Sequence, residues 1–404
     1  MKNPSFVTIL RCFAKKPACI EPLCGTNFFA VLLVLFRTFT FLRLNVINMN
    51  MSRVCPVIYV CFLLLLSVTS AAFAEAVNPA TVFDRTSFAE AHKIEKLLSQ
   101  PEDSIDFART KLSIDKMTDP SIDIEANLKK IDAIVKTIQT MLVANATSMQ
   151  KMLAVKKYLY EAGAWNNFKP YQYDFKDPKG TLVKNKLLPN YLATKQGNCV
   201  SMPLLFIVLG QRLGIDVTAS TAPNHVLVKF TDSDTGTSYN LETTSGAGFS
   251  RDVWYQQTMH VTDEALKNKI YLQKLSRTET VAIMATVLAE DYSNKQEYEK
   301  AMMISDVVLN YNKNDVDSVL RKGSLFYKLL AKNYFKKYPT LNLIPVAERP
   351  YFEFLSTNNH YWFEKAEALG WREPTQEDEQ NYLKTVKQDA DKLRNKMGEQ
   401  NATK

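Results

Sequence analysis

The chain has 404 residues, 46% apolar and 23% charged, which is ordinary for a globular protein and long enough for two domains with accessories. Its net charge of +8 is uneven: Lys2, Arg11, Lys15, Lys16, Arg37, Arg43 and Arg53 face only Glu21 within residues 1–74, which leaves +2 for the remainder. A near-neutral body excludes nucleic acid and a charged membrane surface as partners that composition would reveal.

The N-terminus has the three parts of a secretory signal. Met51-Ser52-Arg53 is basic, Val54–Val68 is an apolar core with four consecutive leucines from Leu63 to Leu66, and Ala72-Phe73-Ala74 is a small-x-small cleavage site before Glu75. Residues 49–74 are therefore read as a signal peptide cut after Ala74, and residues 1–48 as an over-extended start upstream of Met49 or Met51. The apolar run is short for a membrane span, so no stable insertion is expected once the signal is cleaved. Cys61 sits inside the apolar core rather than at its end, which argues against a lipoprotein. The product is expected in the periplasm or the medium. Cys12, Cys19, Cys24, Cys55 and Cys61 all precede residue 75, so the exported body would keep one thiol, Cys199, and no intrachain disulfide.

Residues 75–147 read as a helical region. Phe88, Ala91, Ile94, Leu97 and Leu98 recur at helical spacing, and Ile122, Leu128, Ile131, Ile134, Val135, Ile138 and Leu142 do so again. Ser148–Tyr160 is a further helix that ends before Gly163. His92 lies among charges and reads as a solvated surface histidine. Trp165–Pro189 is irregular and aromatic, bounded by Pro170, Pro178, Gly180 and Pro189. It either walls a cleft or simply packs over the core.

At Gln196-Gly197-Asn198-Cys199-Val200-Ser201-Met202-Pro203 the chain enters a run apolar on nearly every face, through Leu204–Leu209 to Leu213. Such a helix belongs in the middle of a domain. Gly197 and Asn198 can cap it, Pro203 fits its first turn, and Gly214 stops it. Cys199 thus sits at the positive end of a buried helix dipole, which favours thiolate, and first-turn N–H groups are placed to hold an oxyanion. Taken alone, a cysteine opening an apolar helix is as readily buried filler. Downstream, His225–Phe230 and Thr237–Thr244 alternate as strands around the turn Thr231–Gly236. If those six residues are the loop, Phe230 lies opposite Thr237 and His225 opposite Glu242, which could hold the imidazole in one tautomer. A four-residue loop would put Asn240 there instead.

This order of cysteine, histidine and acid resembles the transglutaminase-like core of the papain-like superfamily, particularly its microbial branch. The stretches that carry it are Gly197-Asn198-Cys199, Leu213-Gly214-Ile215, Asn224-His225-Val226-Leu227-Val228 and Leu241-Glu242-Thr243-Thr244-Ser245-Gly246. The resemblance implies an α+β fold with a buried helix against an antiparallel sheet over residues 148–270, with Cys199 as nucleophile, His225 as base and then acid, and Glu242 as orienter. Two departures stand out: many members have Asp where Glu242 stands, and an aromatic residue where Val200 follows the cysteine. No cofactor is called for. His260 and His360 have no metal-ligand spacing, and Asp232 and Asp234 lack the remaining ligands of a calcium loop, so no metal is expected.

Beyond Gly246-Ala247-Gly248, residues Arg251–Lys267 form a connector that could border the cleft. Residues 271–372 are helical. Tyr298-Glu299-Lys300-Ala301, Leu309-Asn310-Tyr311-Asn312, Asp315, Arg321-Lys322-Gly323 and Tyr361-Trp362-Phe363-Glu364-Lys365-Ala366 resemble tetratricopeptide helices. Such helices either bind a protein partner or buttress the core. Residues 373–404 are a charged helix and tail. Two functions follow. One is an exported cysteine hydrolase or acyltransferase acting on amide bonds of a protein or peptide substrate. The other is a catalytically silent form of the same fold that serves with its helical repeats as a protein-binding module.

Overall fold

A computed structural model describes residues 88–378 and scattered positions from there to 391. The expected signal peptide and over-extended start lie outside the described residues, as does most of the charged tail. The larger of two compact units spans Phe83–Lys337 and Ala347–Lys404; the described part of the smaller is Tyr338–Val346, with a 3-10 turn at Leu341–Leu343.

The larger unit is α+β. It opens with helices α1 (Ala89–Leu98), α2 (Phe107–Thr118), α3 (Ile124–Thr140) and α4 (Ser148–Tyr160). The starts of the last three are set by side chains that take up otherwise unpaired N–H groups: Asp106 caps α2, Asp123 caps α3, and Thr147 forms a reciprocal capping box with Gln150 on α4. The aromatic stretch that follows holds the short strand β1 (Gln172–Tyr173) and helix α5 (Leu188–Thr194). Within α2, Lys111 and Asp115 form an ion pair with both side chains fully buried, and the second carboxylate oxygen accepts the Leu188 N–H at 2.8 Å. A buried pair survives only when its lone pairs are used in this way.

Strand β2 (Gln196–Gly197) pairs parallel with β1 and leads into α6 (Ser201–Arg212). Every residue of α6 from Ser201 to Gly210 is buried. The reason is its surroundings, because α6 packs against α2, α3, α4 and α5 and against strands of the main sheet. Beyond it come β3 (Asp216–Ala222), β4 (His225–Thr231), β5 (Ser238–Glu242) and β6 (Gly248–Ser250), antiparallel in that order. The outer edge of β3 is covered by the chain at 272–275, where Leu272 N–H bonds Thr221 O at 2.8 Å and Leu275 N–H bonds Ala219 O at 3.1 Å.

The connector contains two short helices, α7 (Asp252–Thr258) and α8 (Asp263–Lys267). Four longer ones follow: α9 (Arg277–Asn294), α10 (Tyr298–Tyr311), α11 (Val316–Leu330) and α12 (Arg349–Ala368), each packed on the next. Helix α9 is part of the core as much as of the array. It packs on α2 and β3, and its Thr280 hydroxyl accepts the Ala219 N–H at 3.1 Å.

Candidate active site

Asn198 builds the turn that presents the thiol. Its carbonyl accepts the Met202 N–H at 3.1 Å, the first rung of the α6 ladder, and its Oδ1 accepts the N–H groups of Val200 at 3.0 Å and Ser201 at 3.2 Å. In hydrogen-bonding terms the helix therefore begins at Asn198, and Cys199 stands at its positive end, half-buried. Sequence reading offers several first-turn N–H groups to an oxyanion. The structure assigns those of Val200, Ser201 and Met202 to Asn198, and among the described residues only the Cys199 N–H of this turn takes no acceptor. Val200 turns inward onto a cluster of Ile122, Leu187 and Val287, which anchors the turn to the N-terminal helices and to α9.

The imidazole comes from the next hairpin. Asn224, with φ of 54°, makes the tight turn between β3 and β4, and its carbonyl lies 3.9 Å from Cys199 Sγ. His225 opens β4, is buried, and meets Glu242 through Nε2 and Oε2 at 2.8 Å. Burial on its own would pull the ring's pKa down. The Glu242 charge, the hydrogen bonds to the Cys199 thiol and to Glu242, and the sulfur's own charge outweigh it and raise the ring to about 10. With Nε2 committed to Glu242, Nδ1 is the nitrogen left for the thiol.

The register between β4 and β5 differs by two residues from the expected one. Phe230 pairs with Tyr239 and Val228 with Leu241, so the position directly across from Glu242 is Leu227 rather than His225. A shift of two keeps the face, since side chains alternate with period two. His225 and Glu242 are consequently diagonal neighbours, typically about 7–8 Å apart. Glutamate's extra methylene, relative to aspartate, spans that distance. Asn240, the alternative orienter, lies one rung away. It is opposite Lys229, accepts from the Lys229 ammonium, and donates to Asp252 Oδ1 at 2.6 Å; its side-chain hydrogen bonds go to these two residues and not to His225.

Glu242 is held on both oxygens. Oε1 accepts from Thr244 Oγ1 at 2.6 Å and from Thr244 N–H at 3.2 Å, while Oε2 accepts from the Tyr255 hydroxyl at 3.2 Å in addition to His225. Burial favours the neutral acid, yet the His225 charge and the bonds from His225 and Thr244 keep the carboxyl below its ordinary value. Tyr255 belongs to the connector and is missing from the sequence-based set of site residues. The other three histidines are elsewhere: His92 is exposed beside Glu95, His260 pairs with Asp378 at 2.8 Å on the surface, and His360 is exposed on α12. Asp232 organises its turn, accepting from Ser148, Asp234 and Thr235.

Residues 125–286 match the family model of the transglutaminase-like superfamily. The match is wider than 148–270, taking in most of α3 and the first half of α9, and it covers none of the helical region 271–372 beyond residue 286. No match was found among curated proteins or solved structures. Within the chain, residues 125–286 are a transglutaminase-like superfamily domain, and no helix among the described residues is long and apolar enough to cross a membrane.

Proposed function

We propose that this transglutaminase-like domain serves as an exported thiol-dependent hydrolase or acyltransferase acting on amide bonds of a protein or peptide. The observation that carries the reading is the buried His225–Glu242 pair at 2.8 Å, next in the chain to Asn224, whose carbonyl lies 3.9 Å from the sulfur of Cys199, the only thiol after residue 75. In this reading His225 takes the Cys199 proton, and the thiolate adds to the amide carbonyl carbon. The resulting oxyanion is met by the Cys199 N–H. As the C–N bond breaks, His225 hands its proton to the leaving amine, and a thioester remains on Cys199. Water or a second amine then attacks the thioester, losing a proton to His225 and restoring the thiol. Water gives hydrolysis and an amine gives a new amide.

Iodoacetamide labelling tests the reading. At pH 6 only about 0.3% of an ordinary thiol is thiolate. A thiol paired with an imidazolium escapes that limit, and after allowance for its weaker intrinsic nucleophilicity the net gain over free cysteine is on the order of tenfold. Cys199→Ala removes the labelling. Folded protein that labels no faster than free cysteine overturns the hydrolase reading and leaves the domain as a protein-binding module. A proteomic comparison of cells carrying Cys199→Ala with wild type then identifies cleaved or joined substrates.

A further inference from the structure

Helix α7 contributes a second pair of residues to the face of the sheet that carries the site. Asp252 and Tyr255 are three residues apart, adjacent on one helix face at about 5–6 Å. Asn240 and Glu242 are two apart on β5, about 6.7 Å along the strand and on one face. The two spacings match, and each α7 side chain meets its partner: Asp252 accepts from Asn240 at 2.6 Å, and Tyr255 donates to Glu242 at 3.2 Å. Asp252 also lies 3.7 Å from the Lys229 ammonium, across the sheet from Asn240. Tyr255 is fully buried and stacks edge-on against Trp254, with ring centroids 4.8 Å apart. Burial and the Glu242 charge push its hydroxyl above its ordinary pKa, so it stays a donor across the working range.

We propose that Tyr255 is the positioning residue for Glu242, with α7 acting as a two-point clamp that aims the carboxylate at His225. This rests on the Cys199–His225–Glu242 reading. The need for a clamp follows from the diagonal register. A glutamate reaching across a diagonal has three side-chain torsions and several rotamers that miss the imidazole. Thr244 fixes Oε1, and a second point on Oε2 is required to fix the plane of the carboxylate. The Tyr255 hydroxyl is that point, and it shares the same oxygen as His225 Nε2.

The test is Tyr255→Phe, which removes one oxygen and keeps the ring, read by NMR titration of His225 and by the pH profile of Cys199 labelling with iodoacetamide. The expected result is about tenfold weaker proton affinity at His225, equivalent to ~1.4 kcal/mol, and an acid limb of labelling displaced to higher pH. Thr244→Val, which keeps the N–H bond to Oε1, is expected to act in the same direction and serves if Tyr255→Phe folds poorly. Tyr239→Phe, on the opposite face of β5, is the control. Fast wild-type labelling with an unchanged Tyr255→Phe profile and His225 titration overturns the clamp and leaves the thiol reading intact. Wild-type labelling no faster than free cysteine overturns the thiol reading. His225 titration then decides the clamp separately, since a tyrosine that aims Glu242 weakens proton binding in Tyr255→Phe and one that merely packs does not.

Discussion

The His225–Glu242 pair ties local chemistry to stability. The ring titrates at about 10 in the folded chain against 6.5 in the unfolded one, so its contribution is fully present below pH 6.5 and drains away as pH rises through 10. Glu242 is shifted the other way. Its contribution is present above its unfolded value of 4.5 and is lost as pH falls through its lower folded value. Both contributions are complete together only between about pH 4.5 and 6.5. Glu242→Gln keeps the shape and removes the charge, so the difference in thermal midpoint between wild type and this variant should peak in that window. It should shrink toward pH 10 and toward strong acid. A difference that stays flat with pH would mean the two groups do not share a charge in the folded protein.

At the scale of elements, α6 delivers the thiol, and Asn198 fixes where the helix begins. Asn198→Ala removes the acceptor of two N–H groups and should cost ~1 kcal/mol, or a loss of about 2–4 °C in midpoint. Labelling of Cys199 should slow because the turn that presents it loosens. Asn198→Ser, a good cap with a shorter reach, should restore much of the stability. A variant with unchanged midpoint and unchanged labelling would remove Asn198 from any role in the turn. Helix α6 and the cap were legible because an all-apolar run preceded by Gly-Asn has few alternatives, and Ser148–Tyr160 was bounded correctly by its period and the nearby Gly163. The β4–β5 register was not legible. Thr231 belongs to β4 rather than to the turn, because Asp232 nucleates the loop by accepting from Ser233's neighbour Asp234, from Thr235, and from Ser148 on α4. Ser148 lies 84 residues earlier, and no local pattern announces that bond. Because the error was two residues, His225 and Glu242 still fell on one face. Tyr255 was hidden for a similar reason: the step of three in Asp252 and Tyr255 acquires meaning only beside the step of two in Asn240 and Glu242.

At the scale of the whole unit, the question left open by sequence is whether α9–α12 form a separate binding array or a buttress. The array is fastened to the rest of the larger unit at both ends. At one end Thr280 and Leu275 bond the edge of β3. At the other, the chain leaving α12 meets α8: Thr262 donates to Gly370 O at 2.8 Å and Asn268 donates to Leu369 O at 3.2 Å. Gly370 has φ of +100°, and a Cβ there would fall 2.4 Å from the Ala265 nitrogen, on backbone that cannot swing aside. A side chain at this φ costs ~1–2 kcal/mol, and the overpacking costs ~1–3 kcal/mol more. Gly370→Ala should therefore lower the midpoint by roughly 4–20 °C. The form of the transition carries the argument. In a buttress, helical circular dichroism and exposure of Cys199 to a bulky thiol reagent should follow one curve in wild type, and both should move together in Gly370→Ala. In a separable array, Gly370→Ala should melt part of the helical signal first while Cys199 keeps its native reactivity. The double fastening favours the single curve, because α9 cannot leave the array without uncovering β3, and α8, which receives the far end, follows directly on the helix that carries Tyr255.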